Sequence, residues 1–173
     1  GVVIAYDSRR MSKEFALEAA LVLNANGIKT YLYDELQPTP VLSFSVRELG
    51  AIAGIVITAS HNPPAYNGYK VYWEDGGQVP SSRSEEIIKE VYAVNRFEDI
   101  RLITREEAEA RGFFHLIGED VLSRYIERVK QLCTNKELVR EVGRELKVVY
   151  TPLHGAGNKP VRRVLGELGF KNV

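Results

Sequence analysis

The chain has 173 residues, of which 45% are apolar and 27% are charged, a profile typical of a globular protein with a packed core. Its 23 Lys and Arg residues balance its 23 Asp and Glu residues, so no net field favours binding to nucleic acid or to an anionic membrane. The single Cys133 excludes an internal disulfide framework, and no apolar run approaches the ~20 residues of a transmembrane helix. We therefore expect a cytoplasmic protein that binds any anionic ligand at a local site.

Residues 1–57 alternate between apolar, β-branched runs and stretches with helical periodicity. The predicted strands are Val2–Tyr6, Ile28–Tyr33 and Ile52–Ile57. The predicted helices run from Ser12 to a C-cap at Asn26-Gly27, with Phe15, Leu17, Ala20, Leu21 and Leu23 turned inward, and from Val41 to Leu49. This βαβαβ order predicts a mostly parallel sheet with right-handed crossovers.

The next apolar segment, Tyr69–Trp73, alternates as a strand does. The loop before it is too short for a parallel crossover, so we expect this strand to be antiparallel and to lie at an edge of the sheet. Pro80-Ser81-Ser82 then predicts the start of a helix that carries Ile87, Ile88 and Val91 on one apolar face.

The second half of the chain predicts mainly helices. Residues 95–119 are expected to be irregular, apart from a short helix that Thr104 caps and that ends at Ala110. Further helices are predicted over 121–133, 135–142 and 159–168, with a buried strand over 146–150. The sequence thus predicts an α/β fold: a three-layer α/β/α domain over residues 1–144, with a mixed, mostly parallel sheet and one antiparallel edge strand. Residues 145–173 are expected to start a second, incomplete α/β domain.

A polar loop follows the third strand and presents Ser60, His61, Asn62, Asn67 and Lys70 within eleven positions. These residue types are ordinary turn formers. A buried strand that ends beside a serine is also how the edge of a sheet presents a nucleophile. A surface turn and a nucleophile loop are therefore both open from the residues alone.

Three chemistries compete for this loop. A serine hydrolase is disfavoured because His61 directly follows Ser60, and neighbouring side chains on extended backbone point apart. A phosphohistidine at His61 has no second supporting feature in the sequence. Phosphoryl transfer through Ser60 fits better, because a phosphate there needs only N–H donors, a divalent cation and a nearby basic group such as Lys70.

Residues 58–63, Thr-Ala-Ser-His-Asn-Pro, followed by residues 67–70, Asn-Gly-Tyr-Lys, resemble the phosphoserine loop of the α-D-phosphohexomutases. This is the phosphoglucomutase and phosphomannomutase superfamily. Matching segments occur in the expected order at 6–9, 38–41 and 149–157, so the resemblance covers essentially the whole chain. Residues 69–78 resemble the phosphoglucomutase and phosphopentomutase branch more than the phosphoglucosamine branch.

The resemblance implies that phosphorylated Ser60 donates its phosphoryl group to a sugar monophosphate and then recovers a phosphate from the bisphosphorylated intermediate. Hexose 1-phosphate and 6-phosphate, with glucose as the expected sugar, would be interconverted. The Ser60 phosphate would be one ligand of Mg²⁺, and a glucose 1,6-bisphosphate-type molecule would be the activator. Lys70 matches the family's general acid/base, and His61 is predicted to be catalytic with it. Supporting roles fall to Thr58, Asn62, Asn67, Arg9 with its neighbour Asp7, and His154.

The chain departs from the family pattern in what it lacks. The metal-binding run Asp-x-Asp-x-Asp-Arg does not occur, nor do the sugar-reading and phosphate-binding loops of the family's later domains. The sequence is therefore interpreted as an N-terminal fragment, inactive alone, whose partners are the missing domains of the same polypeptide and a phosphosugar. The alternative is a free-standing phosphate-binding or regulatory module that reuses the loop.

Overall fold

The computed structural model describes residues 1–173, which divide into two compact units, residues 1–117 and residues 118–173. The strands of the first unit are β1 Val2–Tyr6, β2 Thr30–Tyr33, β3 Ala53–Ile57, β4 Tyr69–Trp73 and β5 Phe114–Ile117. Its helices are α1 Ser12–Ala25, α2 Thr39–Glu48, α3 Ser81–Ala93 and α4 Arg105–Ala110, with a 3₁₀ turn over Phe97–Asp99. The second unit holds α5 Glu119–Gln131, α6 Lys136–Val142 and α7 Asn158–Leu168. None of these helices combines the length and the apolar character that crossing a membrane requires.

The five strands form one mixed sheet in the order β4-β3-β1-β2-β5. Strand β1 pairs in parallel with β2 and β3, and β2 pairs in parallel with β5. Strand β4 pairs antiparallel with β3 and lies at the edge, as the short loop between them predicts. The predicted α/β fold with a mixed, mostly parallel sheet is confirmed.

Helices cover both faces of this sheet. On one face, Ala16 and Ala20 of α1 pack in a core cluster with Ile4 and Ile55. On the other face, α2 lies so close to β3 that a Cβ at Gly54 would stand 2.6 Å from a methyl group of Val46. Because successive strand residues face opposite sides, Gly54 and Ile55 place the two helices in separate layers. Residues 1–117 thus have the predicted three-layer arrangement.

Helix α1 buries a narrower face than its sequence predicts. The buried residues are Ser12, Ala16, Ala20 and Asn24, which are spaced four residues apart. Phe15 is 46% exposed, whereas Leu17, Leu21 and Leu23 pack only at the margin of the core. The prediction that Phe15 turns inward is therefore wrong. Small residues let the helix approach the sheet closely, and larger apolar side chains lie beside this contact.

Strand β5 lies inside the segment that was expected to be irregular. Phe114 pairs with Thr30, and Ile117 pairs with Tyr33, so the strand extends the sheet beyond β2. A strand of four residues is too short to show a periodicity. It is stabilised by β2, which lies 84 positions earlier in the sequence. The short helix before it is confirmed, because Thr104 Oγ1 accepts a hydrogen bond from Glu107 N at 3.2 Å.

Helix α3 forms as predicted, but its apolar face is not buried. The residue before the helix is Pro80, and no side chain caps the helix start. No residue of the helix is buried, and Ile88 and Val91 are 49% and 57% exposed. The periodicity therefore predicts the helix correctly, whereas burial depends on a neighbour that the sequence does not reveal.

The predicted strand over residues 146–150 does not form. Only an isolated parallel bridge joins Lys147 to Asn172, and Val149 is 98% exposed. A strand needs neighbours that bond its backbone, and a β-branched run alone does not supply them. The helix predicted over residues 159–168 does form, as α7. The compact units divide after Ile117, and a domain boundary at 144/145 stays a prediction.

In the second unit, charged side chains connect α5 to α7. Glu167 accepts hydrogen bonds from Lys130 Nζ at 2.8 Å and from Arg163 Nε at 2.7 Å. Arg163 also pairs with Glu119 at 2.6 Å. The hydrogen bonds from Lys130 and then Arg163 lower the pKa of the Glu167 carboxyl.

We expect Glu167→Gln to remove part of the pH dependence of this unit's stability. The folded-state pKa lies below the ordinary value of 4.5, so the carboxylate stabilises the fold above that value. This contribution is lost as the pH falls through the folded-state pKa. Urea unfolding from about pH 6 to about pH 3 should show the free-energy difference between wild type and variant narrowing. Glu141→Gln, at an exposed position on α6, is the control, and identical profiles for both variants would contradict the prediction.

Candidate active site

The candidate site lies where β1 and β3 end, because the carboxyl ends of parallel neighbours share one edge of a sheet. Asp7 follows β1, and its N–H donates to Ile57 O at 3.1 Å. The loop over residues 58–68, which joins β3 to β4, begins at this point. The β1–α1 connection and the 58–68 loop are therefore adjacent, although they are some fifty residues apart in sequence.

Ser60 is exposed on this loop and has a left-handed backbone conformation, with φ of 54°. Its N–H donates to Thr58 Oγ1 at 3.1 Å, and its Oγ accepts a hydrogen bond from Lys70 Nζ at 2.5 Å. Lys70 reaches Ser60 because β4 returns antiparallel along β3, which places Lys70 opposite Val56. The structure thus brings together the two residues that were predicted to carry the chemistry.

Arg9 holds the loop through its main-chain carbonyl groups, an arrangement we name the Arg9 clamp. One terminal nitrogen donates to Ser60 O at 2.7 Å and to Asn62 O at 2.8 Å. The other donates to Pro63 O at 3.0 Å and to Tyr66 O at 3.1 Å. Nε lies 3.2 Å from Asp7 Oδ2, and the Arg9 side chain is only 14% exposed. Its N–H donors are therefore engaged within the chain.

A second set of hydrogen bonds holds the far end of the loop. Asn67 Nδ2 donates to Ser12 Oγ at 2.9 Å and to Arg10 O at 3.2 Å, and Asn67 Oδ1 accepts from Gly68 N at 2.8 Å. Ser12 Oγ in turn donates to Asp7 Oδ1 at 2.7 Å. The Asp7 carboxylate therefore joins Arg9 on one side to Ser12 on the other.

Ser12 is the supporting residue that the sequence does not identify. Its position at the start of α1 suggests a helix terminus, whereas its hydroxyl bonds to Asp7 and Asn67. No motif signals this contact, because the two partners come from separate segments. Its complete burial is visible only in the structure.

Gly68 closes the loop in a position that excludes a side chain. Its carbonyl accepts the Thr58 N–H at 3.0 Å, and a Cβ at residue 68 would lie 2.7 Å from Thr58 O. This close approach lets β4 start directly beside the end of β3. Thr58 itself is 8% exposed, so it belongs to the buried base of the site.

The remaining predicted site residues have different surroundings. His61 and Asn62 are exposed on the loop, and the Asn62 main chain rather than its side chain contacts Arg9. His154 is exposed in the second unit, on the loop before α7, and its role stays a prediction. Nearby, burial and then the charges of Asp34 and Glu35 raise the pKa of Tyr6, whose hydroxyl donates to Asp34 O at 2.9 Å.

The donor set around Ser60 is cationic and does not form a metal site. No group of three or more His, Cys, Asp and Glu side chains in the chain could hold a metal ion. Lys70 instead places an ammonium group against an exposed hydroxyl on a clamped loop. Such a site can stabilise negative charge that develops on Ser60 Oγ.

Comparisons of the sequence and the fold with known proteins point to one family. The family model described as phosphoglucomutase/phosphomannomutase, alpha/beta/alpha domain I, matches residues 1–97. The phosphoglucomutase of Staphylococcus haemolyticus is 41% identical to this chain. The alignment covers 99% of this chain and 30% of that enzyme. The glucose 1,6-bisphosphate synthase of Homo sapiens is 34% identical, with 99% of this chain covering 28% of it.

A solved structure from Thermus thermophilus, named as a phosphomannomutase, is similar with a TM-score of 0.77 and 28% identity. The match covers 99% of this chain and 35% of that structure. The chain thus spans about 30% of the length of the curated relatives it matches.

We expect Ser60→Gly to be more stable than Ser60→Ala. Both variants lose the hydroxyl and its hydrogen bond, but only glycine adopts a φ of 54° without strain. After the larger chain entropy of unfolded glycine is subtracted, the difference should be about 0.5–1 kcal/mol. Urea unfolding at neutral pH measures it. An alanine variant as stable as the glycine variant would show that residue 60 is not held in the left-handed region.

Proposed function

This chain belongs to the phosphoglucomutase/phosphomannomutase family, of which it carries domain I, and we propose that Ser60 is the phosphoryl carrier of a phosphosugar mutase. The observation that supports the proposal is the Lys70–Ser60 pair, with Nζ 2.5 Å from Oγ, on a loop that Arg9 clamps. An exposed hydroxyl in contact with an ammonium group favours a role in reversible phosphorylation over a purely structural role in a turn.

In the proposed reaction the bond between phosphorus and Ser60 Oγ breaks, and a bond forms between phosphorus and a hydroxyl oxygen of the sugar monophosphate. Ser60 Oγ gains a proton from Lys70, the sugar hydroxyl releases its proton to solvent, and solvent reprotonates the Lys70 amine, so charge and atoms balance. Lys70 is placed to stabilise the charge on Oγ and to supply the proton to it. The return step reverses these movements with the other phosphate of the sugar bisphosphate. Positioning and electrostatics dominate such transfers.

The other predicted residues receive roles that follow from their places. Thr58 accepts the Ser60 N–H and would fix the start of the loop, and Asn67 would fix its end. His61 and Asn62 are exposed beside Ser60, where they would contact the phosphate or the sugar. Arg9 would hold the loop rather than the substrate, since its donors are engaged. For His154, on the loop before α7, we keep the supporting role that the family resemblance implies.

Mg²⁺ fits this chain only if other parts of the protein supply most of its ligands. The residues present supply no metal cluster, so one oxygen of a phosphate on Ser60 would be the chain's own contribution to the ion. Bound there, Mg²⁺ would neutralise phosphoryl charge during transfer. The remaining ligands of the ion would come from parts of the protein outside this chain.

We assign the whole protein the interconversion of hexose 1-phosphate and 6-phosphate, with glucose as the sugar. Relatives named phosphoglucomutase and glucose 1,6-bisphosphate synthase support this substrate and a bisphosphate activator. The balanced charge and the single Cys133 support a cytoplasmic location without a nucleic-acid partner. Because the chain spans about 30% of these relatives, most sugar contacts would come from the rest of the polypeptide.

We expect glucose 1,6-bisphosphate with Mg²⁺ to phosphorylate Ser60 once in a chimera in which this chain replaces the matching segment of the Staphylococcus haemolyticus phosphoglucomutase, because the rest of that enzyme supplies the loops that the chain lacks. Intact-mass spectrometry should show a gain of about 80 Da, the mass of one added phosphoryl group. Ser60→Ala should lose this gain, whereas Ser81→Ala, at an exposed serine that starts α3, should keep it. A gain that survives Ser60→Ala would contradict the proposal. Labelling of Ser60 by a fluorophosphonate would favour a hydrolase instead.

We expect the chain alone not to interconvert glucose 1-phosphate and glucose 6-phosphate, because it lacks sugar-binding and metal-binding loops. The same chimera with the Staphylococcus haemolyticus phosphoglucomutase tests turnover at this site in a complete enzyme. The chimera should be active in a coupled assay, and its Ser60→Ala form should be inactive with an unchanged circular dichroism spectrum. Sustained turnover by the chain alone would support a free-standing enzyme.

A further inference from the structure

The Arg9 clamp determines the direction of peptide groups in the 58–68 loop. Ser60 O points to the guanidinium at 2.7 Å, and Tyr66 O does so at 3.1 Å. All peptide bonds in the chain are trans, and in a trans peptide the C=O and the following N–H point in opposite directions. The N–H groups of His61 and Asn67 therefore point away from Arg9.

The two other clamped carbonyl groups leave no N–H to satisfy. Asn62 O and Pro63 O each precede a proline, and proline has no N–H. The consecutive prolines thus allow two carbonyl groups to turn toward Arg9 without exposing donors on the opposite side. This leaves the His61 N–H as the outward donor nearest to Ser60.

The His61 N–H has no acceptor within the chain. Two neighbouring amides are bonded within the loop: Asn62 N donates to Ala59 O at 3.0 Å, and Tyr66 N donates to Pro63 O at 3.0 Å. The His61 amide instead faces solvent on an exposed segment. It directly follows the residue whose Oγ already contacts Lys70.

We propose that Arg9 is a positioning residue that orients the Ser60–His61 peptide so that the His61 N–H donates to a phosphate on Ser60. The proposal rests on the proposed function in one respect, that Ser60 carries a phosphate. A main-chain donor held in advance then acts with the Lys70 ammonium on the phosphoryl group. Oriented amides of this kind need no movement when charge arrives.

The clamp requires arginine because one side chain must donate to four carbonyl oxygen atoms, and the planar guanidinium carries enough N–H donors in fixed directions. Lysine carries the same charge on a single nitrogen with three donors and cannot span both ends of the turn. Asp7 fixes the guanidinium from behind, with Oδ2 3.2 Å from Nε. Charge alone therefore does not replace Arg9.

The test uses the full chain with phosphoserine incorporated genetically at position 60, so that it does not depend on any transfer reaction. Nitrogen–proton NMR at about pH 8, where the phosphate is dianionic, follows each loop amide. The His61 amide proton should shift downfield on phosphorylation, and its exchange with solvent should slow about tenfold or more. Arg9→Ala and Arg9→Lys should each lose both effects.

The controls separate orientation from folding and from charge. Arg47→Ala removes an exposed arginine near the end of α2 and should keep the shift and the slow exchange. Methylguanidinium at a non-denaturing concentration should restore both effects in Arg9→Ala, which excludes loss of fold as their cause. An unshifted His61 amide in the phosphorylated chain, or a shift that persists in Arg9→Ala, would overturn the proposal. Failure of glucose 1,6-bisphosphate to phosphorylate Ser60 would count against the proposed function only.

Discussion

The candidate site depends on the contact between one guanidinium and four main-chain carbonyl groups. The 58–68 loop forms short-range hydrogen bonds in its own turns, but its consecutive prolines supply no N–H donors. Arg9 supplies the missing constraint from outside the loop, and Asp7 holds Arg9 at 3.2 Å. Because the contacts are to main chain, they determine the path of the loop and leave its side chains available for chemistry.

This clamp works only because β1 and β3 are parallel neighbours. Their pairing places the end of β1 beside the start of the loop, and the Asp7 N–H donates to Ile57 O. The antiparallel return of β4 then delivers Lys70 to Ser60 from the opposite side. The nucleophile is thus held between a parallel and an antiparallel neighbour of one strand. A sheet with only parallel strands would not bring a residue ten positions later back to Ser60.

The electrostatics of the site suit the carrying of a phosphate rather than the binding of a free metal ion. Lys70 and Arg9 are cations, Asp7 is neutralised by Arg9, and no metal-binding group of carboxylates or imidazoles occurs. In the proposed function the phosphoryl group itself brings the anionic oxygen atoms. Domain I of this family would then supply the carrier and its positioning, while specificity for the sugar would reside elsewhere in the longer protein.

Periodicity, loop length and a contiguous motif are local properties, so the order β1–α1–β2–α2–β3, the antiparallel β4 and the position of the candidate loop follow from the sequence. It also indicated Arg9 as a brace, but not that its contacts would be carbonyl groups. Only contacts between distant segments specify that Phe114–Ile117 forms a strand, that residues 146–150 do not, and that Ser12 bonds to Asn67. Each of these depends on a partner distant in the chain, and a short segment's own composition does not specify whether that partner is present.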